Sequence, residues 1–167
     1  PSASTYTDAE TNITFLGYET TTGFKFGMAL PASPTTDLIV QIISPLKNGG
    51  GWGGIDFGSE MTGYLMIAAW PDTTKTDTVL ISPRIATGYE VSNGANVYTA
   101  SNITITQIPS GTFVNGTHVA ATFVCAGCIV ADSFKSDVST GSATFSYAYA
   151  LTAVPNPDEV DTQLSDH

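Results

Sequence analysis

The chain has 167 residues, enough for one domain with a substantial core, and 42% of them are hydrophobic, which excludes a disordered protein. Fifteen Asp and Glu stand against five Lys and Arg, a net charge of −10; such a surface repels phosphate backbones and anionic lipid, so neither nucleic acid nor a membrane is expected as a partner. The longest apolar runs, "YLMIAAW" and "LIVQII", are too short to cross a bilayer, and the polar opening "PSASTYTDAE" carries no secretory leader, as a trimmed mature product would not.

Taken in chain order, the elements alternate with period two. "TNITFLGY" sets Ile13 and Phe15 on one side of a strand, and "GFKFGMAL" does the same with Phe24, Phe26, Met28 and Leu30. "DLIVQIIS", "GWGGIDF", "GYLMIAAW" and "DTVLIS" follow as more fully buried strands. "SNITITQ" aligns Ile103 with Ile105, "HVAATFVC" aligns Val119, Ala121, Phe123 and Cys125, and "ATFSYAYAL" aligns Phe145, Tyr147, Tyr149 and Leu151. Between them lie turn-forming stretches such as "PASPTT", "KNGGG", "WPDTTK" and "VSNGANV". "GGGWGG" lacks the following helix and lysine that a phosphate cradle needs, and reads as a tight strand connection. No stretch carries a helical stripe over three turns. Roughly nine short strands with frequent turn signals predict an all-β protein, an immunoglobulin-like antiparallel β-sandwich, as a single domain over 1–167. After Leu151 the acidic, proline-containing "TAVPNPDEVDTQLSDH" reads as a solvated tail leaving the sandwich.

Asn12, Asn102 and Asn115 each open an N-x-[ST] sequon and are the candidate glycosylation sites of an extracellular, secreted protein. "CAGC", Cys125 and Cys128, admits several chemistries. Covalent haem attachment needs His directly after the second Cys, where Ile129 stands. Zinc needs four ligands, and the only histidines, His118 and His167, fall at no recognised spacing. A redox dithiol wants a helix N-terminus, whereas a strand pattern leads into Cys125. A disulfide pinching a strand end remains, in keeping with an oxidising compartment. His118 has no serine or carboxylate placed around it in a hydrolase pattern, and no hydrolase or nucleotide-binding motif is present. Met28 and Met66 sit inside apolar strands as core filler. Met61 does not: Gly58, Ser59, Glu60, Thr62 and Gly63 surround it, so a thioether sits on a glycine-flanked turn.

The strings "GSEMTGYLMIAAWP", "RIATGY", "NGTHVAATFVCAGC" and the closing "TQLSDH", with "SASTYTD" and "GFKFGMALP" before them, resemble in matching order the cytochrome domain of fungal cellobiose dehydrogenase. That group lies within the iron-reductase cytochrome family, related to the DOMON sandwiches, and is similar to the module attached to fungal pyranose dehydrogenases. The resemblance implies a non-covalent haem b in the sandwich, with Met61 and His167 as its axial iron ligands. It implies that Tyr89 hydrogen-bonds a haem propionate, that Arg84 balances propionate charge, and that Cys125 and Cys128 form a disulfide. Met/His ligation raises the reduction potential and leaves no open position for oxygen, so the implied task is electron transfer without substrate turnover in this chain. The expected donor is an attached flavin- or PQQ-dependent sugar dehydrogenase domain, and the expected acceptor a lytic polysaccharide monooxygenase or another one-electron acceptor, with the module itself a monomer. Members of the family continue beyond the ligating histidine whereas this chain ends on it, so either residues follow His167 or the module is shorter. The competing reading from residues alone is a haem-free carbohydrate-binding or adhesive sandwich, with Trp52, Trp70 and Tyr98 as its aromatic platform.

Overall fold

The computed structural model describes residues 2–30, 36–60, 62–86, 95–97, 103–130, 136–137 and 142–164, with 95–97, 130, 136–137 and 142–143 described through their backbone alone. Among the described residues, fourteen strands and two short 3-10 helices, Pro109–Gly111 and Cys128–Val130, make up the regular structure. Among the described residues there is no α-helix, as the missing helical stripe predicts. The strands are β1 (Ser4–Thr7), β2 (Thr14–Glu19), β3 (Lys25–Ala29), β4 (Leu38–Pro45), β5 (Trp52–Asp56), β6 (Leu65–Pro71) and β7 (Val79–Ala86). They continue with β8 (Ala95–Val97), β9 (Thr104–Gln107), β10 (Phe113–Val114), β11 (His118–Ala126), β12 (Ser136–Asp137), β13 (Ser142–Ala143) and β14 (Ser146–Ala150). The surplus over the sequence expectation comes from pieces such as β10, β12 and β13, only two residues each and too short to carry a period.

All pairings are antiparallel. A seven-stranded sheet runs β1-β2-β3-β4-β11-β10 with β9 also on β11, and a five-stranded sheet runs β14-β5-β6-β7-β8. The predicted sandwich is therefore observed. Its seam is filled by Phe24, Val40, Ile42, Ile67, Val119 and Phe123 among others, all at or near full burial. At about 1.5–3 kcal/mol for each large apolar side chain removed from water, this layer is the main stabilising term. β4 lies between β3 and β11, which explains its nearly continuous apolar run. The glycine run does form a tight connection: Lys47 and Gly50 exchange backbone hydrogen bonds of 2.9 and 3.0 Å around Asn48–Gly49. Both turn residues have positive φ (54° and 78°), the conformation that favours Asn-Gly.

Two alignments are corrected at the ends of strands. Leu30 is 63% exposed, because it lines a cavity shared with Leu16, Phe26, Met28 and Tyr147 instead of packing into the seam, and burial declines from Phe24 towards it. Leu151 is likewise exposed, just past the end of β14. On that edge strand Tyr147 and Tyr149 stack on Phe24 at 5.2 and 5.4 Å, while the alternate residue Ala150 is buried on the other face.

The largest correction concerns the C-terminal segment. It does not leave the sandwich. Every residue of β6 is buried, so its second face must also be covered. Trp52, Met66, Ala68, Trp70, Ala150 and Val154 form a separate core there, with Leu164 packed against it. The Trp70 indole Nε1 donates to Pro157 O at 3.0 Å, and Ser82 Oγ donates to Val160 O at 2.7 Å. Residues 152–164 are thus a strap over the outer face of the five-stranded sheet, held by a few spaced apolar and carbonyl groups rather than by a hydrophobic run.

Candidate functional site

Met61, Tyr89 and His167, together with Asn102 and Tyr98, lie outside the described residues. The structure does describe what holds the segments on either side of the three site candidates. Between β5 and β6, the Phe57 N–H donates to Leu65 O at 2.8 Å, closing the base of the loop that carries Met61. At Gly58 a Cβ would overlap the Tyr64 ring, so the ring lies flat over a position that only glycine leaves open. Gly63 has φ of 81°, and its N–H donates to Ala86 O at 3.0 Å. That bond ties the methionine loop to the last residue of β7, three positions before Tyr89. Glu60 is exposed.

Arg84 is 1% exposed. In the register of the sheet it stands beside Met66 of β6, and Asp56 of β5 stands on the other side of Met66. Ser146 of β14 completes the row. Side chains paired across antiparallel strands share a face, so Ser146, Asp56, Met66 and Arg84 all point to the face on which the strap lies. Arg84 Nε donates to Ser82 Oγ at 2.8 Å and Nη2 donates to Val160 O at 2.7 Å, with the guanidinium carbon 5.4 Å from the Trp70 ring centre. Burial lowers its pKa to about 10, an effect that the nearby Asp161 carboxylate partly opposes, so the group stays cationic at neutral pH. Arg84 therefore anchors the strap whose continuation ends in His167.

Asp56 was not singled out by the sequence. It is 3% exposed, and neither carboxylate oxygen has a hydrogen-bond partner. Burial pushes its pKa up to about 7, the Gly58 backbone amide opposing part of that shift. The hydroxyl of Ser146, its cross-strand partner, donates instead to Gly58 O at 3.0 Å. A lone acid inside the otherwise apolar "GWGGIDF" was the available signal.

Cys125 and Cys128 form the expected disulfide, both wholly buried, with Cα atoms 5.6 Å apart. Gly127 between them has φ of 79°, and its N–H donates to Asp37 Oδ1 at 3.0 Å. Asn12 and Asn115 sit in exposed turns; Asn115 Oδ1 accepts from the Thr117 N–H at 2.9 Å and from the Thr117 hydroxyl at 3.1 Å. His118 contacts Thr117 Oγ1 at 2.9 Å, and among the described residues no three His, Cys, Asp or Glu side chains gather as a metal site. The aromatic sugar platform is overturned for two of its three members: Trp52 is 2% exposed and Trp70 is fully buried, both beneath the strap. Among the described residues no helix is long and apolar enough to cross a membrane.

A two-sheet sandwich with a tethered methionine loop and a C-terminal strap on one sheet has the fold of a cytochrome domain. The cytochrome b domain of pyranose dehydrogenase from Coprinopsis cinerea superposes with a TM-score of 0.79 at 21% identity, over 99% of this chain and 83% of that one. The cytochrome domain of Myriococcum thermophilum cellobiose dehydrogenase superposes with a TM-score of 0.81 at 30% identity, over the same shares of the two chains. The sequence profile of the cytochrome domain of cellobiose dehydrogenase matches residues 6–167, and the chain belongs to that family. No curated protein sequence matches it. Membership implies a haem and electron transfer.

Proposed function

We propose that this chain is the haem b electron relay of a secreted fungal sugar dehydrogenase. Met61 and His167 would be the two axial ligands, Tyr89 would hydrogen-bond a propionate, and the buried Arg84 charge would offset a propionate while its donors hold the strap. A haem held by a thioether and an imidazole would supply reversible one-electron chemistry. The protein's part is to bring a sulfur and an imidazole from distant points of the sequence to one metal, and to keep water and oxygen away from it. The observation that carries this reading is the strap. A C-terminal segment is fixed through Val160 to Ser82 and Arg84, and through Leu164 to the Met66 cluster; in sequence Leu164 stands three residues before His167, and the sheet it covers is the one whose β5–β6 connection includes Met61. The orphaned Asp56 carboxyl on the same face fits a site that receives a further group.

Electrons would enter from a flavin or PQQ domain of the same enzyme and leave to a lytic polysaccharide monooxygenase or to a soluble one-electron acceptor. Asn12, Asn102 and Asn115 would carry glycans. The module would work as a monomer with small, transient contacts to its partners. Purified protein is expected to be red, with a Soret band that shifts on dithionite reduction. Met61→Ala and His167→Ala should each abolish that spectrum while the β circular dichroism persists. A colourless native protein, or variants that keep the wild-type spectrum, would overturn the proposal.

A further inference from the structure

Asp56 has a cost and no structural return among its described contacts. An acid buried without hydrogen bonds is destabilising, and an Asn or Ser in its place could be satisfied more cheaply. Apart from the Gly58 backbone amide, the described groups around it withhold compensation. On β14, Ser146 spends its proton on Gly58 O. On β6, Met66 offers no donor. Arg84, on β7 beyond Met66, is turned to Ser82 and Val160, and Asp161 of the strap lies towards Arg84. Tyr64 covers Gly58 with its ring, and Glu60 faces solvent. Among the described residues, burial and the Gly58 backbone set the Asp56 pKa, and neither a fixed positive charge nor an anion contributes to it. Its protonation is left free to follow a charge that changes nearby.

Asp56 also stands at the foot of the loop that carries Met61, on the face covered by the strap that ends in His167. We propose that Asp56 is a redox-linked proton acceptor: when the site takes up one electron from a one-electron donor, the Asp56 carboxylate takes up one proton from solvent. The proton returns to solvent when the electron passes to the acceptor, so each cycle is balanced in charge and atoms. The inference rests on the haem reading. Its physical basis is that added negative charge in a desolvated region favours the neutral form of a nearby acid. The burial that brings Asp56 near neutrality puts the coupling in the physiological range.

The test is a redox titration of the holoprotein from about pH 5.5 to about pH 8.5, in wild type and Asp56→Asn. In wild type the equilibrium constant for reduction by a fixed-potential mediator should fall several-fold per pH unit across the Asp56 titration, with tenfold as the limit for one proton per electron. In D56N the dependence should vanish over that range. Reduced-minus-oxidised infrared spectra of wild type at about pH 8 should show a protonated-carboxyl band appearing on reduction, a readout that needs no variant. The carboxyl carbon of Asp56 in apoprotein, followed by NMR, should titrate near neutrality. A red protein with this titration but a pH-independent potential overturns the coupling and leaves the haem reading intact. A colourless protein overturns both.

Discussion

Replacing Arg84 with methionine tests the strap. The substitution keeps an unbranched chain under Trp70 but removes the guanidinium. Among the described contacts two charge-assisted hydrogen bonds are lost, Nε to Ser82 Oγ and Nη2 to Val160 O, each of about 1.5–3 kcal/mol. The contact with the Trp70 ring adds about 0.5–2 kcal/mol. Against these stands the cost of burying the cation: lowering its pKa to about 10 corresponds to roughly 3 kcal/mol. Val160 O retains the Ser82 hydroxyl, so no carbonyl is orphaned. The net loss should be about 2 kcal/mol. Chemical denaturation of R84M and wild type at matched pH reads it as a lower midpoint with an unchanged slope. Limited proteolysis should cut within 155–164 faster in the variant, since the local opening free energy of that segment falls by the same amount. A variant as stable as wild type, with an equally protected C-terminal segment, would mean that burial cost cancels the bonds, as it does at some buried ion pairs, and that Arg84 does not hold the strap.

Asp56→Asn should change how stability depends on pH. A folded-state pKa raised from 3.8 to about 7 contributes stability that is whole below the unfolded value and is lost as pH rises through the folded one. Wild type should lose up to about 4 kcal/mol between about pH 4 and pH 8, and D56N should lose markedly less; parallel unfolding free energies in the two proteins would refute the raised pKa. Double replacement of Cys125 and Cys128 by serine should cost about 2 kcal/mol, because the disulfide closes a very short loop and removes little unfolded-state entropy. A loss twice that size in urea midpoints would show that the buried serines, not the missing cross-link, set the cost.

The fold was legible because its signal is local. Alternation in "TFLGYE" and continuity in "LIVQIISP" follow from one or two covered faces. The disulfide was legible by elimination of the chemistries its surroundings could not support. The strap was not, because "TAVPNPDEVDTQLSDH" has no period. Its burial comes from Val154, Thr162 and Leu164 meeting a surface defined elsewhere. The clue lay in β6, where Trp70 and Met66 alternate with Leu65 and Ile67 and every position is apolar; a strand buried on both faces requires a second cover. Leu30 misled because period two predicts a face and not how far the opposing sheet extends. Met61 stood out by its glycine-flanked setting, but His167 had no local mark, and only the family pattern joins the two.

One consequence of the buried guanidinium concerns encounters in solution. With Arg84 interior, the outward cations are lysines alone, and Lys75 is already paired with Asp72 at 2.9 Å. Asp56 is buried as well, so the outward field keeps the strongly negative sign of the formal charge. Towards an acidic redox partner, added electrolyte should hasten association by screening repulsion, the reverse of the usual salt penalty on steered complexes.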